Sequence, residues 1–178
     1  KLPKKMYSVA LSLSDKLDSL VGFFGINLKP TSSKDPYAIR RMAISLVRLI
    51  VENEIKIKLK DLIVYTCSAY RDQGYDFDTK KIQNELSDFI IERLKNYLKE
   101  KKIRQDIIES STFLLGLDDL LKAYKKSLCL NKNIKKEIGF ETIAVYKRSS
   151  NILNTEEKIS IETLGFADPG LFKNDYEK

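Results

Sequence analysis

Apolar residues recur through this chain at the spacing of an α-helix, and few glycines or prolines interrupt them. Residues 4–24 carry one such stripe, and residues 82–98 carry a second one. A spacing near 3.6 residues places apolar side chains on one face of a helix. With 7 Gly and 4 Pro in 178 residues, little breaks these patterns. The sequence therefore predicts an all-α fold, a multi-helix array.

The pattern also predicts where the helices lie. Asp35 is expected to cap the second helix with Pro36 at its first position, and Asp76 or Asp78 is expected to cap the fourth. Asp168 and Pro169 are the candidate start of one more, short helix. The predicted helices cover residues 4–24, 37–51, 59–70, 78–99, 105–115, 118–130 and 140–153.

Composition narrows the class of protein. Hydrophobic residues make up 43% and charged residues 32%, and no run approaches the roughly 18 apolar residues of a membrane span. We therefore expect a cytoplasmic protein without a membrane partner, in which Cys67 and Cys129 are buried thiols. Position 1 is Lys rather than Met, which predicts that the chain begins inside a longer protein.

Histidine is absent from all 178 residues. This excludes His-based acid–base catalysis, Ser-His and Cys-His nucleophiles, and every metal site that needs an imidazole. Two cysteines are too few for a zinc site made of cysteines alone. Much conventional catalysis is therefore excluded, and we expect no complete active site in this chain.

Positive charge is clustered in two stretches of a chain with net charge +7. Residues 29–60 hold eight Lys or Arg against three acids, and residues 122–148 hold eight against two. Such clusters indicate an anionic partner, most simply nucleic acid, and the alternative is a lysine-rich surface that only aids solubility.

Two features near the N-terminus leave alternatives open. Asp15 and Asp18 lie three residues apart on the first predicted helix. They are either a metal-binding or acid–base pair, or part of a solvated helix face with Lys16 nearby. The loop at residues 29–36 contains hydroxyl side chains and two lysines and is followed directly by a predicted helix. It is either a phosphate-binding position at the helix N-terminus or simply a capped helix start.

Several basic residues are candidates for phosphate contacts. Arg40, Arg41 and Arg48 share one predicted helix, and the alternative for them is salt bridging to neighbouring acids. Lys147 and Arg148 lie near the end of a predicted helix, where they either bind a partner or complement the helix dipole.

Three strings occur in a fixed order along the chain. They are LSDKLDSLVGFF at residues 13–24 with KPTSSKDPYAIRR at residues 29–41, KRSSNIL at residues 147–153, and DPGLF at residues 168–172. Together they resemble the β subunit of the bacterial two-subunit glycyl-tRNA synthetase. Ser14, Ser19, Tyr37 and Ile39 are mild departures from the family pattern, and Ser32 replaces a usual Gly.

The resemblance implies a division of the chain. Residues 1–55 would end an HD-like helical domain, residues 56–153 would form a helical linker or body, and residues 154–178 would connect toward an anticodon-binding domain not included. Asp15 matches the last metal-ligand position of HD phosphohydrolases, whose other ligands would lie upstream. No metal site is therefore expected here.

The resemblance also implies a function. The parent would be an ATP- and magnesium-dependent glycine–tRNA ligase, expected as α2β2, whose chemistry belongs mainly to the α subunit. This fragment would be inactive alone, need no cofactor, and support aminoacylation by binding glycine tRNA and the α subunit. The alternatives are a pure scaffold and a remnant of an HD-type phosphohydrolase. The candidate tRNA contacts are Lys34, Arg40, Arg41, Arg48, Lys147 and Arg148.

Overall fold

The part of the chain described by the computed structural model, residues 2–31, 34–113 and 119–155, contains seven α-helices and no strand. The predicted all-α class is confirmed, and each observed helix overlaps a predicted one. The predicted helix at Asp168 and the string at residues 168–172 lie outside the described residues. The helices are α1 (Met6–Gly25), α2 (Ile39–Glu52), α3 (Leu59–Asp72), α4 (Thr79–Glu100), α5 (Gln105–Thr112), α6 (Leu120–Asn133) and α7 (Glu137–Thr155).

The chain forms two compact units, Lys1–Asn133 with α1 to α6, and Ile134–Lys178 with α7. The division at residue 55 that the resemblance implies falls inside the first unit, where α1 and α2 pack against α3, α4 and α6. The three-part domain assignment stays a prediction.

Helix α4 is the centre of the first unit, since it packs against α1, α2, α3, α5 and α6. One apolar residue per turn faces the core, and each is at most 3% exposed. This regular spacing is the stripe seen in the sequence at residues 82–98. The buried stripe consists of Ile82, Leu86, Ile90, Leu94 and Leu98.

Helix α2 packs against α1, α4 and α6. Its Ala43, Leu46 and Val47 are fully buried, so only a narrow strip of the helix faces solvent. Arg41 and Arg48 lie on that strip because they are seven residues, or about two turns, apart. The amphipathic pattern of α2 thus places two arginines side by side on the surface.

The start of α2 differs from the prediction. Asp35 does accept hydrogen bonds from the helix start, from the backbone N–H of Ile39 (2.8 Å) and of Arg40 (3.1 Å). Pro36 is not at the first helical position, however, because Pro36 and Tyr37 form a turn and Ala38 adopts a left-handed conformation (φ 57°). The helix therefore begins at Ile39, and Asp35 reaches it across that turn.

An apolar groove of about 470 Å³ runs between α1 and α3. Val9 and Leu59 on its floor are buried, whereas Met6 and Tyr65 at its edge are 73% and 74% exposed. Helix α1 therefore carries apolar side chains both on the face that packs on α2 and α4 and on the side that lines this groove.

The two cysteines have different environments. Cys67 is buried as predicted, and this burial raises the pKa of its thiol. The prediction for Cys129 is wrong, because its side chain lies on the outer face of α6 and is exposed. No helix within the described ranges combines the length and apolar character needed to cross a membrane.

Candidate nucleic-acid interface

The exposed strip of α2 and the C-terminal part of α4 enclose a surface recess of about 560 Å³, which we call the arginine recess. Three cationic side chains and two carboxylates line it. The carboxylates would compete with a bound anion for the cationic side chains. The lining residues are Arg41, Ile44, Ser45, Arg48, Glu52, Tyr97, Glu100 and Lys101.

A network between two helices forms the wall of this recess. Arg48 Nε donates to Glu52 Oε1 at 2.8 Å, one helical turn away, and the Tyr97 hydroxyl donates to the same oxygen at 3.1 Å. Arg48 lowers the pKa of the Glu52 carboxyl, and Glu52 in turn raises the pKa of the Arg48 guanidinium. Burial, followed by the bond to Glu52, raises the pKa of Tyr97.

Replacing Glu52 with Gln should lower the free energy of unfolding at pH 7 by roughly 0.5–1 kcal/mol, because Arg48 is 46% exposed and water screens the pair. The native pKa of Glu52 lies below its unfolded value, so this stabilisation is present above about pH 4.3. It is lost as the pH falls through the lower native pKa. Urea unfolding at pH 7 and at pH 3 should therefore give a smaller difference at pH 3.

Glu100→Gln is the matched control, since Glu100 lines the same recess and is exposed. It should change the unfolding free energy by less than about 0.5 kcal/mol at either pH. An equal loss of unfolding free energy in both variants would mean that Glu52 stabilises the fold only through its negative charge and not through its hydrogen bonds.

Arg41 lies beside this network, and its side chain is exposed. Among residues 2–31, 34–113 and 119–155, no hydrogen bond or ion pair engages its guanidinium. Its five N–H donors therefore point to solvent and can meet the oxygens of an anion. Of the three arginines predicted on α2, Arg41 is the one whose side chain is available.

Arg40 is the second residue of α2, but its side chain bonds to the loop before the helix rather than lining the arginine recess. Its guanidinium donates to the carbonyl oxygen of Thr31, nine residues earlier. The backbone N–H of Thr31 donates to the carbonyl oxygen of Lys34 at 3.0 Å, and the backbone N–H of Lys34 donates to the Thr31 hydroxyl at 3.2 Å. Arg40 thus closes this loop, while the side chain of Lys34 lies on its exposed surface.

The first N–H groups of α2 are occupied by Asp35, as described above. An anion would have to displace a carboxylate that is held by the same chain. Of the two interpretations of residues 29–36, the geometry favours the capped helix start.

Lys147 and Arg148 lie in the second unit, on α7, with exposed side chains. The helix continues to Thr155, about two turns beyond them. Because the helix dipole acts mainly within the last turn, it does not account for these two residues. The dipole interpretation from the sequence is therefore wrong.

The carboxylates of α1 do not converge on a site. Asp15 is 72% exposed and lies 3.7 Å from Lys16, as the solvated-face interpretation expects. Asp18 accepts a hydrogen bond from the Tyr70 hydroxyl through its backbone carbonyl at 3.2 Å. Nowhere in the described ranges do three His, Cys, Asp or Glu side chains gather as metal ligands would.

Sequence reasoning missed part of the arginine recess. Lys101, the residue that follows α4, lies over the Tyr97 ring of α4 at 5.3 Å from its centroid, so neither residue comes from α2. The Arg48–Glu52 pair was visible as an i, i+4 spacing. The approach of Tyr97 was not, because it depends on how α2 and α4 pack.

The first unit is thus a helical module with a surface recess that is lined by two arginines, one lysine and two carboxylates. A family model described as glycyl-tRNA synthetase beta subunit matches residues 1–112. The chain belongs to this family, and the resemblance stated from the sequence is confirmed.

Curated relatives agree with this assignment. The glycine–tRNA ligase beta subunit of Ruegeria sp. (strain TM1040) is 38% identical over 90% of this chain. That of Clostridioides difficile (strain 630) is 32% identical over 99% of this chain. The matched regions are 22% and 24% of those relatives, so the chain spans about a quarter of their length.

Proposed function

We propose that this chain supports the glycine–tRNA ligase reaction by binding the tRNA backbone and by helping to assemble the β subunit with the α subunit. The parent would act in the cytoplasm with ATP and magnesium, as an α2β2 enzyme. The observation that carries the proposal is the available guanidinium of Arg41 beside Lys101 in a recess of a family member. Contacts of this kind position an RNA without reading its sequence.

A non-catalytic role for this part of the subunit fits the chemistry of its side chains. The sequence contains no histidine, and Arg48 and Tyr97 both donate to the Glu52 carboxylate. Their pKa values shift so as to keep Arg48 and Glu52 charged and Tyr97 neutral. None of the three is thereby prepared to transfer a proton near neutral pH.

The test uses the complete β subunit in complex with its α subunit. Arg41→Glu should weaken binding of glycine tRNA by about tenfold at low salt, since it removes one phosphate contact and adds repulsion. The slope of log affinity against log salt should fall by about 1. Fluorescence anisotropy with labelled tRNA across a potassium chloride series measures both quantities.

Arg71→Glu serves as the control, because it makes the same charge change at an exposed residue in the last turn of α3, where the ion pair to Asp76 is itself exposed. It should leave the affinity within about twofold of the parent if Arg41 acts by direct contact. Unchanged tRNA binding by the Arg41 variant, with a normal circular dichroism spectrum, would count against a tRNA role for this surface.

A scaffold role is the second candidate, and the apolar groove between α1 and α3 favours it. The chain is about a quarter of its relatives' length, so another segment of the parent subunit is the expected occupant of that groove. A pure scaffold predicts that Arg40→Ala and Arg41→Ala alter neither α-subunit capture nor tRNA affinity. A phosphohydrolase remnant instead requires histidine ligands in the parent sequence upstream of Asp15.

A further inference from the structure

A second basic recess, of about 550 Å³, lies between the segment that follows α2 and the start of α6. We call it the lysine recess, since four of its seven lining residues are lysines. None of the four was among the contacts predicted from the sequence. The lining residues are Lys56, Ile57, Lys58, Asp119, Leu121, Lys122 and Lys125.

The fold brings these lysines together from the two basic stretches of the sequence. Lys56 and Lys58 are two residues apart in an extended segment, so they project to the same side. Lys122 and Lys125 are three apart on α6 and share one face. Helix α6 packs against α2, which sets the two pairs around one recess.

The carboxylates at this recess do not neutralise it. Asp119 accepts the backbone N–H of Lys122 at 2.9 Å and so serves as the cap of α6. Glu54 holds Lys125 at 2.8 Å, but this pair is 67% and 51% exposed, and water screens it. No ion pair to a residue within the described ranges engages Lys56 or Lys58.

The lysine recess adjoins the arginine recess at the end of α2. Glu52 lines the arginine recess, and Glu54, two residues later, pairs with Lys125. Tyr97 of the arginine recess also packs against Tyr124, the neighbour of Lys125, with ring centroids 6.1 Å apart. Arg48 of the arginine recess and Lys125 of the lysine recess therefore lie near the C-terminal end of α2, whereas Arg41 is about 16 Å from that end along the helix.

We propose that the lysine recess binds the phosphodiester backbone of RNA, as a second contact of the strand that meets Arg41. The proposal rests on the proposed tRNA-binding function and extends it. Flexible lysines act as point charges that suit phosphates in varied positions, so this contact holds an RNA without discriminating its sequence. The buried Leu121 and half-buried Ile57 give the recess a firm floor.

The test again uses the complete β subunit with its α subunit and labelled glycine tRNA. The double change Lys56→Ala and Lys58→Ala should weaken binding by about tenfold at low salt and lower the salt slope by about 2. The same double change should weaken the binding of a tRNA for another amino acid by the same factor. Lys80→Ala with Lys81→Ala is the control, since it removes the same charge about 25 Å along α4 from Tyr97.

Glu54→Gln gives a change in the opposite direction. Removing this carboxylate releases Lys125 and should tighten tRNA binding by about two- to fivefold at low salt. A lysine recess that served only folding or solubility would not gain affinity in this way. Thermal unfolding of each variant checks that the exposed changes leave the fold intact.

The outcomes separate this inference from the proposed function. Loss of affinity in the Lys56/Lys58 variant, with a gain for Glu54→Gln, supports the inference. If Arg41→Glu weakens binding while the lysine changes match the Lys80/Lys81 control, the inference is overturned and the proposed function stands. Loss of α-subunit capture with unchanged tRNA binding would overturn it in favour of an acidic protein partner.

Discussion

Leu94→Ala should lower the free energy of unfolding by about 2–5 kcal/mol, through lost apolar burial and the cavity left behind. Leu94 is 1% exposed and lies in the buried stripe of α4, the helix that packs against five others in the first unit. Neighbouring helices are held by many further contacts, so they have little freedom to close the cavity. The expected fall in melting temperature is about 5–15 °C.

Urea unfolding followed by circular dichroism measures this loss, with Leu11→Ala as the matched control. Leu11 is also a helical leucine, but it is 74% exposed on α1. Its replacement should change stability by less than about 0.5 kcal/mol. A similar effect of the two substitutions would contradict the central position of α4.

Asp35→Ala should lower the free energy of unfolding by about 1–2 kcal/mol. The Asp35 carboxylate accepts the backbone N–H of Ile39 and of Arg40, and both donors lose their partner in the variant. Ala38 precedes the helix in a left-handed conformation, which costs free energy for a residue with a side chain. The loop that Arg40 closes should therefore loosen as the start of α2 frays.

Two variants make this prediction specific, with unfolding measured in the same way. Asp35→Asn keeps one acceptor oxygen and should recover part of the stability. Asp78→Ala removes the cap of α4, where the carboxylate accepts a single bond from Lys81 at 3.0 Å, and should cost less than Asp35→Ala. Equal losses at the two caps would show that the second bond at Asp35 adds nothing.

The helices themselves could be predicted from the sequence. Apolar spacing over residues 82–98 located α4, and Asp76 or Asp78 was expected to cap it, because both signals act within a few residues of the chain. The structure shows that Asp78 is the cap. The main local error was the start of α2, where Pro36 and Tyr37 form a turn that propensity alone does not distinguish from a first helical turn. The family, too, was readable from short strings at fixed spacing.

The state of each charged side chain was decided only by the tertiary structure. Arg40, Arg41 and Arg48 look alike in sequence, yet Arg40 closes a loop, Arg48 pairs with Glu52, and Arg41 is available. Whether Lys34, Arg40, Arg41, Arg48, Lys147 or Arg148 contacts tRNA stays a prediction.

The lysine recess shows the same limit most plainly. Its two pairs of lysines are separated by more than 60 residues of sequence, and they meet because α6 packs against α2. The sequence determined the helices and the overall positive charge, since hydrogen bonding and hydropathy act along the chain. Only packing determined which charges share a surface, since that depends on contacts between residues far apart in sequence.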